Sequence, residues 1–451
     1  MDFYQANLGL FAAANTYLVW SQHRKPSWKH GQAPPSPDQA AVEVGEKDAK
    51  PSAQAREFQL NFFIPYTLAA AADWLQGPHI YALYKYDKHL PEKMVATLYS
   101  VGFISGGISA SFVGGAADRF GRKKACLLYC VLYAVTCLTM ISDSLPILFL
   151  GRFAGGVCTT LLYSVFEAWM ISDYHDRGLQ SSELDLGPVF STMTTISCVV
   201  AIVCGVLGDV LVTVSGTRTW PFMLAIACCC VSAAFISKNW RENLGSLKLG
   251  QTPSDSFKSG IRAITGNPKI LSLGLISCVF EGTMYLFIFF WSAALQTART
   301  ATGSTKDLPF GLIFSNFMCA MMAGPALASH LARRLKGTQR STDVLFNVIL
   351  LAACCLALAV ALRNERTIFW TFCFLEACIG AYFPAMANLK SELVEDKSRA
   401  MIYSILRFPL NVFVVIGHSL DREGSEHRDN VFLVCSALLV ASFAVARRYL
   451  P

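Results

Sequence analysis

The 451-residue sequence predicts an all-α polytopic membrane protein. Three observations carry this: an apolar composition, recurrent runs of spanning length, and a basic turn wedged between two of those runs. Hydrophobic residues make up 53% of the chain and charged residues 15%, against roughly 25% charged in a soluble globular protein. A chain so apolar cannot hide its surface in a water-soluble core. Runs of about 20 apolar residues are long enough to cross roughly 30 Å of hydrocarbon as helices. The turn Gly114-Gly-Ala-Ala-Asp118-Arg119-Phe-Gly121-Arg122-Lys123-Lys124 carries one acid and four bases, and a short basic loop belongs at the cytoplasmic face.

Taken in order, a first apolar segment covers residues 1–20. It lacks the basic start and small-residue cleavage site of a secretory signal, so it reads as an extra N-terminal transmembrane helix. Gln5, Asn7 and Asn15 make it a marginal span. Residues 21–57, with Pro34-Pro-Ser-Pro37 and scattered charges, read as a flexible cytoplasmic linker. Twelve apolar runs follow, near 58–84, 94–117, 125–142, 145–171, 187–214, 218–237, 268–296, 308–331, 343–362, 367–389, 399–420 and 430–449. The stretch 238–267, rich in Ser, Gly, Lys and Arg, reads as a cytoplasmic central loop. It divides an N-terminal six-helix bundle over 58–237 from a C-terminal six-helix bundle over 268–451.

Charge counting supports the orientation. With the Asp118 turn inside, alternate crossings put 26 of the 38 Lys and Arg on the inner side and 10 on the outer, with Arg152 and Arg407 within spans. That bias is the expected one, and it places the N-terminus outside and the C-terminus in the cytoplasm. The net charge of +7 resides in connecting loops rather than on one soluble face, which argues against a nucleic-acid partner. The 16 cysteines lie inside apolar runs, with no CxxC pair and no His cluster nearby. Such cysteines act as small apolar fillers, and neither a disulfide framework nor a metal site is expected. No nucleotide loop or catalytic triad is visible, so no cofactor and no enzymatic activity are expected.

The spacing Gly114-x-x-x-Asp118-Arg119-x-Gly121-Arg122-Lys123-Lys124 resembles the loop between the second and third helices that marks the major facilitator superfamily. Counting from the run at 58, it falls between core helices two and three. Arg152-x-x-x-Gly156 resembles that superfamily's second motif more weakly. Within it, Asp73-Trp-Leu-Gln-Gly-Pro78, Phe166-Glu167-Ala-Trp169, Phe280-Glu281-Gly282, Gly380-Ala-Tyr-Phe-Pro384 and Arg407-Phe-Pro409 are similar, in order and spacing, to the eukaryotic molybdate-anion transporter family. The resemblance implies a major facilitator fold of two six-helix bundles, preceded here by one extra N-terminal helix. It also implies a secondary transporter taking molybdate, or a related oxyanion, across a cell membrane, with the plasma membrane as the expected host.

An ionised side chain within a span costs at least a few kcal/mol and so calls for a reason. Six stand out: Asp73, Arg152, Glu167, Glu281, Glu376 and Arg407. At 1.5 Å per residue, Arg407 lies roughly 12 Å and Glu281 roughly 20 Å from the inner end of their helices, and Glu376 about as deep from the outer end. Transporters built from repeats bind substrate near the midplane, which singles out these three. Arg407 is the leading anion ligand, because a guanidinium stays charged and offers a planar fork of donors to a tetrahedral oxyanion. Asn411, four residues on, shares its helix face. The alternative is that Arg407 pairs permanently with a neighbouring acid. Arg152 is a second substrate contact or a snorkelling, outer-gate residue. Glu376-x-x-x-Gly380 repeats the spacing of Arg152-x-x-x-Gly156 in the corresponding helix of the other half, and the two opposite charges can attract across a central cavity.

A dianion approaching Arg407 is repelled by ionised Asp73, Glu281 or Glu376. Protonation of these acids, with Glu167 as a further charge partner, removes the repulsion and suggests proton-coupled import. The alternative is that the acids are structural partners of Arg152 and Arg407. The motif loop has another role: its family counterpart of Asp118 sits by the positive N-terminus of helix eleven, here near Ser398, which closes the cytoplasmic side as a gate. Gly114, Arg119, Gly121, Arg122 and Lys123 belong to that gate, with the bases holding the loop and the anionic heads of the lipid bilayer. Two other readings stay open: a proton-coupled carrier or exporter of another small anion or organic solute, and a non-transporting membrane sensor or scaffold.

Overall fold

The computed structural model describes residues 3–23, 53–179, 186–245, 261–303, 307–334, 341–394, 399–419 and 424–450. The expected linker 21–57 falls largely outside them, as do half of the central loop 238–267 and Ser398. Every regular element described is helical. In chain order these are α1 (Phe3–His23), α2 (Ala53–Gln76), α3 (Glu92–Ser109), α4 (Val113–Phe120), α5 (Arg122–Thr139), α6 (Leu145–Thr160), α7 (Phe166–Asp176) and α8 (Leu186–Ser215). There follow α9 (Trp220–Asn239), α10 (Pro268–Ala301), α11 (Phe310–Arg334), α12 (Ser341–Ala361), α13 (Glu365–Leu393), α14 (Arg399–Ser419) and α15 (Ser425–Tyr449).

Breaks in these helices have local causes. After α2, Gly77-Pro78 ends the helix, and the chain continues through Ile80–Ala82 into a single π turn at Leu83–Asp87. Another π turn, Leu161–Val165, joins α6 to α7. The motif turn is itself mostly helical: α3 bends by 52° into α4 across residues 110–112, and within the motif only Gly121, at φ +115°, stands outside a helix. That conformation suits a residue without Cβ.

Among the described residues, eight helices are long and apolar enough to cross a membrane, or nine if α3 and the bent α4 form one span. The helices that fall short of that measure do so for readable reasons. α5 opens on Arg122-Lys123-Lys124, α2 carries Asn61 and Asp73, and α14 carries Arg407 and Asn411. Helices that line a polar interior trade hydropathy for function.

Packing gathers the helices into two groups. α2, α3, α5, α6, α8 and α9 pack on one another, as do α10 to α15, and the groups meet along two seams, α3 with α14 and α8 with α11. Small residues permit the tightest crossings. A Cβ on Gly156 of α6 would lie 1.9 Å from Ser105 Oγ and 2.2 Å from Gly102 O of α3. In the second group a Cβ on Gly380 of α13 would lie 1.9 Å from Met321 O of α11. The two glycines of the repeated four-residue spacings are thus both helix-crossing points.

α1 packs against α11, and its polar residues turn inward. The buried Asn15 side chain donates to Cys319 O at 2.9 Å, and Asn316 reaches back to Tyr4 O at 3.2 Å. Tyr4 donates to Glu365, the carboxylate that Arg299 grips at 2.9 and 3.1 Å. Its opposite face bears exposed Leu10, Tyr17 and Trp20.

Candidate functional site

Two carboxylates occupy comparable places in the two groups. Asp73, on α2, accepts from Tyr133 OH at 3.1 Å and from Tyr163 OH at 3.3 Å. Gln76 backs Tyr133, and the Tyr163 ring is half exposed. Glu281, on α10, accepts through Oε1 from Tyr382 OH at 3.0 Å and from Ser277 Oγ at 3.1 Å. The same oxygen lies 3.7 Å from Lys390 Nζ. In each group, then, the first core helix supplies the acid and the fourth supplies a tyrosine that holds it.

Arg407 is exposed on α14 and makes no hydrogen bond or ion pair among the described residues. Its neighbour Leu406 packs on α10, where a Cβ on Gly274 would lie 2.4 Å from Leu406 Cδ2. One turn on, the Asn411 amide faces α3 across the seam, so close that a Cβ on Gly107 would lie 2.7 Å from Nδ2. Residues 407 and 411 share a helix face, so Arg407 lies on the side of α14 that looks between the groups. Tyr285, one turn from Glu281, meets Phe103 of α3 edge-on at 5.0 Å.

Arg152 sits against α3: its guanidinium lies 5.0 Å from the Tyr99 ring centroid, and Nε is 3.4 Å from Leu98 O. Asp73 is within range of its field, but no ion pair joins them among the described residues. Glu376 is 5% exposed and has no hydrogen bond or ion pair among the described residues, so the expected attraction between Arg152 and Glu376 is not realised as a contact here. Glu167 likewise makes no such contact among the described residues, although its charge is felt at Tyr66.

The motif loop is clamped by the chain that follows α9. Asp118 pairs with Arg122 at 2.7 Å, and Arg122 also donates to Ala168 O at 3.0 Å. Lys123 Nζ donates to Ser237 O and Trp240 O at 2.9 and 2.8 Å, which satisfies carbonyls at the end of α9. Glu242 accepts from the backbone N–H of Lys123 at 2.8 Å, a carboxylate at the start of α5 where the helix dipole favours it. Arg119 lies by the Phe120 ring. Around Gly114 a Cβ would meet nothing within 4 Å, so no steric need for that glycine is evident in this arrangement.

A further set of contacts between the groups lies at the end opposite this loop. Arg218 bridges Asp87 and Asp307, the latter at 2.7 Å. Tyr86 stacks on Phe310, Tyr81 and Tyr99 meet Phe289, and His418 packs between Tyr99 and Phe289. Sequence reasoning missed this aromatic seam, as well as Tyr133, Tyr163 and Lys390. For Lys390 the apolar run ends at 389, so the base counts as loop, whereas α13 continues to Leu393 and keeps it in the last turn.

A family model described as sugar transporters with 12 TM matches residues 40–367, well over half of the chain. The chain belongs to this major facilitator family. Curated relatives at this level include a molybdate-anion transporter of Xenopus tropicalis, 29% identical over 89% of each chain. One of Takifugu rubripes is 30% identical over 82% of this chain and 81% of its own. Solved structures of the same fold include the nucleoside transporter NupG (variant structure, TM-score 0.71, 12% identity, 87% of this chain and 100% of that one). A D-xylose-proton symporter aligns with TM-score 0.66 at 12% identity, over 87% of this chain and 97% of that one. The protein is thus a multi-span membrane transporter of the major facilitator type, and the fold class expected from the sequence stands at that level.

Proposed function

We propose that this protein takes up molybdate by alternating access between two six-helix bundles, with α1 as an additional helix. The observation that carries the reading is the exposed Arg407 on the face of α14 that looks between the helix groups, without an ion pair among the described residues. A guanidinium so placed is a ready ligand for a tetrahedral oxyanion. The names of the relatives give that anion its identity. Asn411 donates to the same anion from one turn away, and Arg152 supplies a second positive field beyond Asp73. The far-end seam, with Arg218 and the packed rings around His418, is the outer gate in its closed position. The Asp118 loop is the cytoplasmic latch, and the plasma membrane the proposed host, with the N-terminus outside and the C-terminus in the cytoplasm.

Coupling follows from the same charges. Glu281 is faced by Lys390 and Tyr382 from α13 and by Ser277 from its own helix. An ionised Glu281 competes with the incoming dianion for the cations. At an effective dielectric of about 20, two unit charges at 4 Å interact by about 4 kcal/mol, enough for one proton to change affinity by orders of magnitude. Glu281 is therefore the first candidate for proton coupling, with Asp73, Glu376 and Glu167 as further ones.

Uptake of labelled molybdate in transport-deficient cells, with sulfate as competitor, tests the reading. Wild type should accumulate the label, and Arg407→Ala should lose it by at least about 100-fold. Equal accumulation by the two would sink the proposal. The family description favours one other reading, an organic solute bearing hydroxyls, for which the Asp73–Tyr133–Tyr163 cluster is the suitable surface. Uptake of labelled sugars by cells that take up no molybdate would favour it.

A further inference from the structure

The ends of α1, α10 and α13 converge on the ion pair that spans the far-end seam. Arg218 grips Asp87 of its own group and reaches Asp307 Oδ2, in the chain just ahead of α11, at 2.7 Å. The Arg218 side chain is only 11% exposed, whereas that of Asp307 is 70% exposed, so burial does not fix the acid in place. Asp307 is held from its own side of the seam instead. Arg299, near the end of α10, donates through Nη1 to Asp307 O at 2.7 Å. Its Nε and Nη2 donate to Glu365 at 3.1 and 2.9 Å. A guanidinium engaged by a carboxylate through two nitrogens has its plane fixed, and the third nitrogen then stays aimed at the Asp307 carbonyl.

Glu365 opens α13, where the helix dipole favours an acid, but the dipole does not account for its other donor. That donor is Tyr4 of α1, whose hydroxyl bonds the same Oε1 that Arg299 Nη2 holds. Tyr4 is itself firmly seated. It is 1% exposed, its ring meets Phe369 of α13 edge-on at 5.1 Å, and its carbonyl accepts from Asn316 of α11 at 3.2 Å. A continuous chain of polar contacts thus runs from Tyr4 through Glu365, Arg299 and Asp307 to Arg218 and Asp87.

We propose that α1 braces the outer gate, with Tyr4 as a positioning residue that, through Glu365 and Arg299, holds Asp307 where Arg218 can reach it and so favours the outward-closed arrangement. This rests on the far-end seam being the outer gate and gives the additional helix a task. Opening the seam parts Arg218 from Asp307, while every bond from Tyr4 to Asp307 lies on one side of it and is kept. The exposed acid therefore stays ordered in both arrangements, and less conformational entropy is lost each time the seam closes.

Hydrogen exchange of the purified full-length protein in lipid nanodiscs tests this, read over residues 83–90 and 217–220, on the far side of the seam from Asp307. Arg218→Gln should speed exchange there about 10-fold or more, and Tyr4→Phe about 2- to 10-fold, the range of one hydrogen bond. Glu365→Gln should match or exceed Tyr4→Phe. Combining Tyr4→Phe with Arg218→Gln should add nothing to Arg218→Gln alone, since the brace acts through that ion pair. If Arg218→Gln leaves exchange unchanged, the seam is not a gate held by this pair, and the brace falls with it. If Arg218→Gln speeds exchange across the seam but Tyr4→Phe does so only in α1 and the start of α13, the gate survives and Tyr4 has a local structural role, which overturns the brace. Additive gains in the double variant would overturn it as well.

Discussion

Asp73 and Glu281 look alike in sequence and differ in company. Each sits on the first core helix of its group, and each accepts a hydrogen bond from a tyrosine on the fourth. Among the described residues, the donors bonded to Asp73 are hydroxyls alone, Tyr133 and Tyr163. Around Glu281 there are two hydroxyls and the ammonium of Lys390, with Arg407 nearby. Hydroxyls hold a carboxylate without competing for it, whereas a cation brings a charge that can be passed to another anion. The second cluster thus sets a cation beside its acid, whereas hydroxyls hold the first.

The sharpest way to break this comparison is charge reversal. Lys390→Glu should abolish molybdate binding, a loss of about 1000-fold or more from a two-charge change. Asp73→Asn should leave binding within about 5-fold, since its tyrosine donors remain able to bond an amide oxygen. Calorimetric titration of both variants checks the pair, and equal losses would erase the distinction.

Next in size is the response to pH. Wild-type uptake should rise as external pH falls, because protonating Glu281 removes a negative charge that repels the incoming dianion. In Glu281→Gln the dependence should vanish while uptake persists. A wild-type rate that is flat with pH would remove proton coupling from the account, and a persistent slope in the Gln variant would move it to another acid, Asp73 first.

Single hydroxyls should matter less. Tyr382→Phe and Tyr133→Phe each remove one hydrogen bond worth about 1 kcal/mol. The first should shift the pH midpoint of uptake; the second should lower only the melting temperature. Smallest of all is a pair of similar type whose acid alone is exposed. At the far end Lys88 bonds Asp143 at 2.7 Å, which holds that surface carboxyl below its usual range. Its contribution is present above the unfolded value and fades as pH falls through the lowered one. Solvent screens it, so Asp143→Asn should leave the melting curve unchanged within error.

Much of this was legible in the chain. The apolar runs announce membrane helices, and the Gly114–Lys124 spacing together with Arg407-Phe-Pro409 points to the family. What was not legible concerns neighbours. Asn15 reads as a flaw in an apolar segment and proves to be a buried donor to Cys319, 304 residues away. Lys390 reads as a loop base because the apolar run stops one residue earlier. Arg152 and Glu376 share a spacing motif, yet what the motif aligns is the two glycines, each at a close helix crossing.

The sequence by itself determined that this chain enters a membrane as helices and which family of transporters it joins. Both depend on the length, hydropathy and local spacing of segments, which each segment carries alone. Only the tertiary structure decided which acid has a cation beside it, because that depends on how helices hundreds of residues apart rotate against one another. A helix turns about 100° per residue, so a small difference in packing selects another face, and the chemistry of the site goes with it.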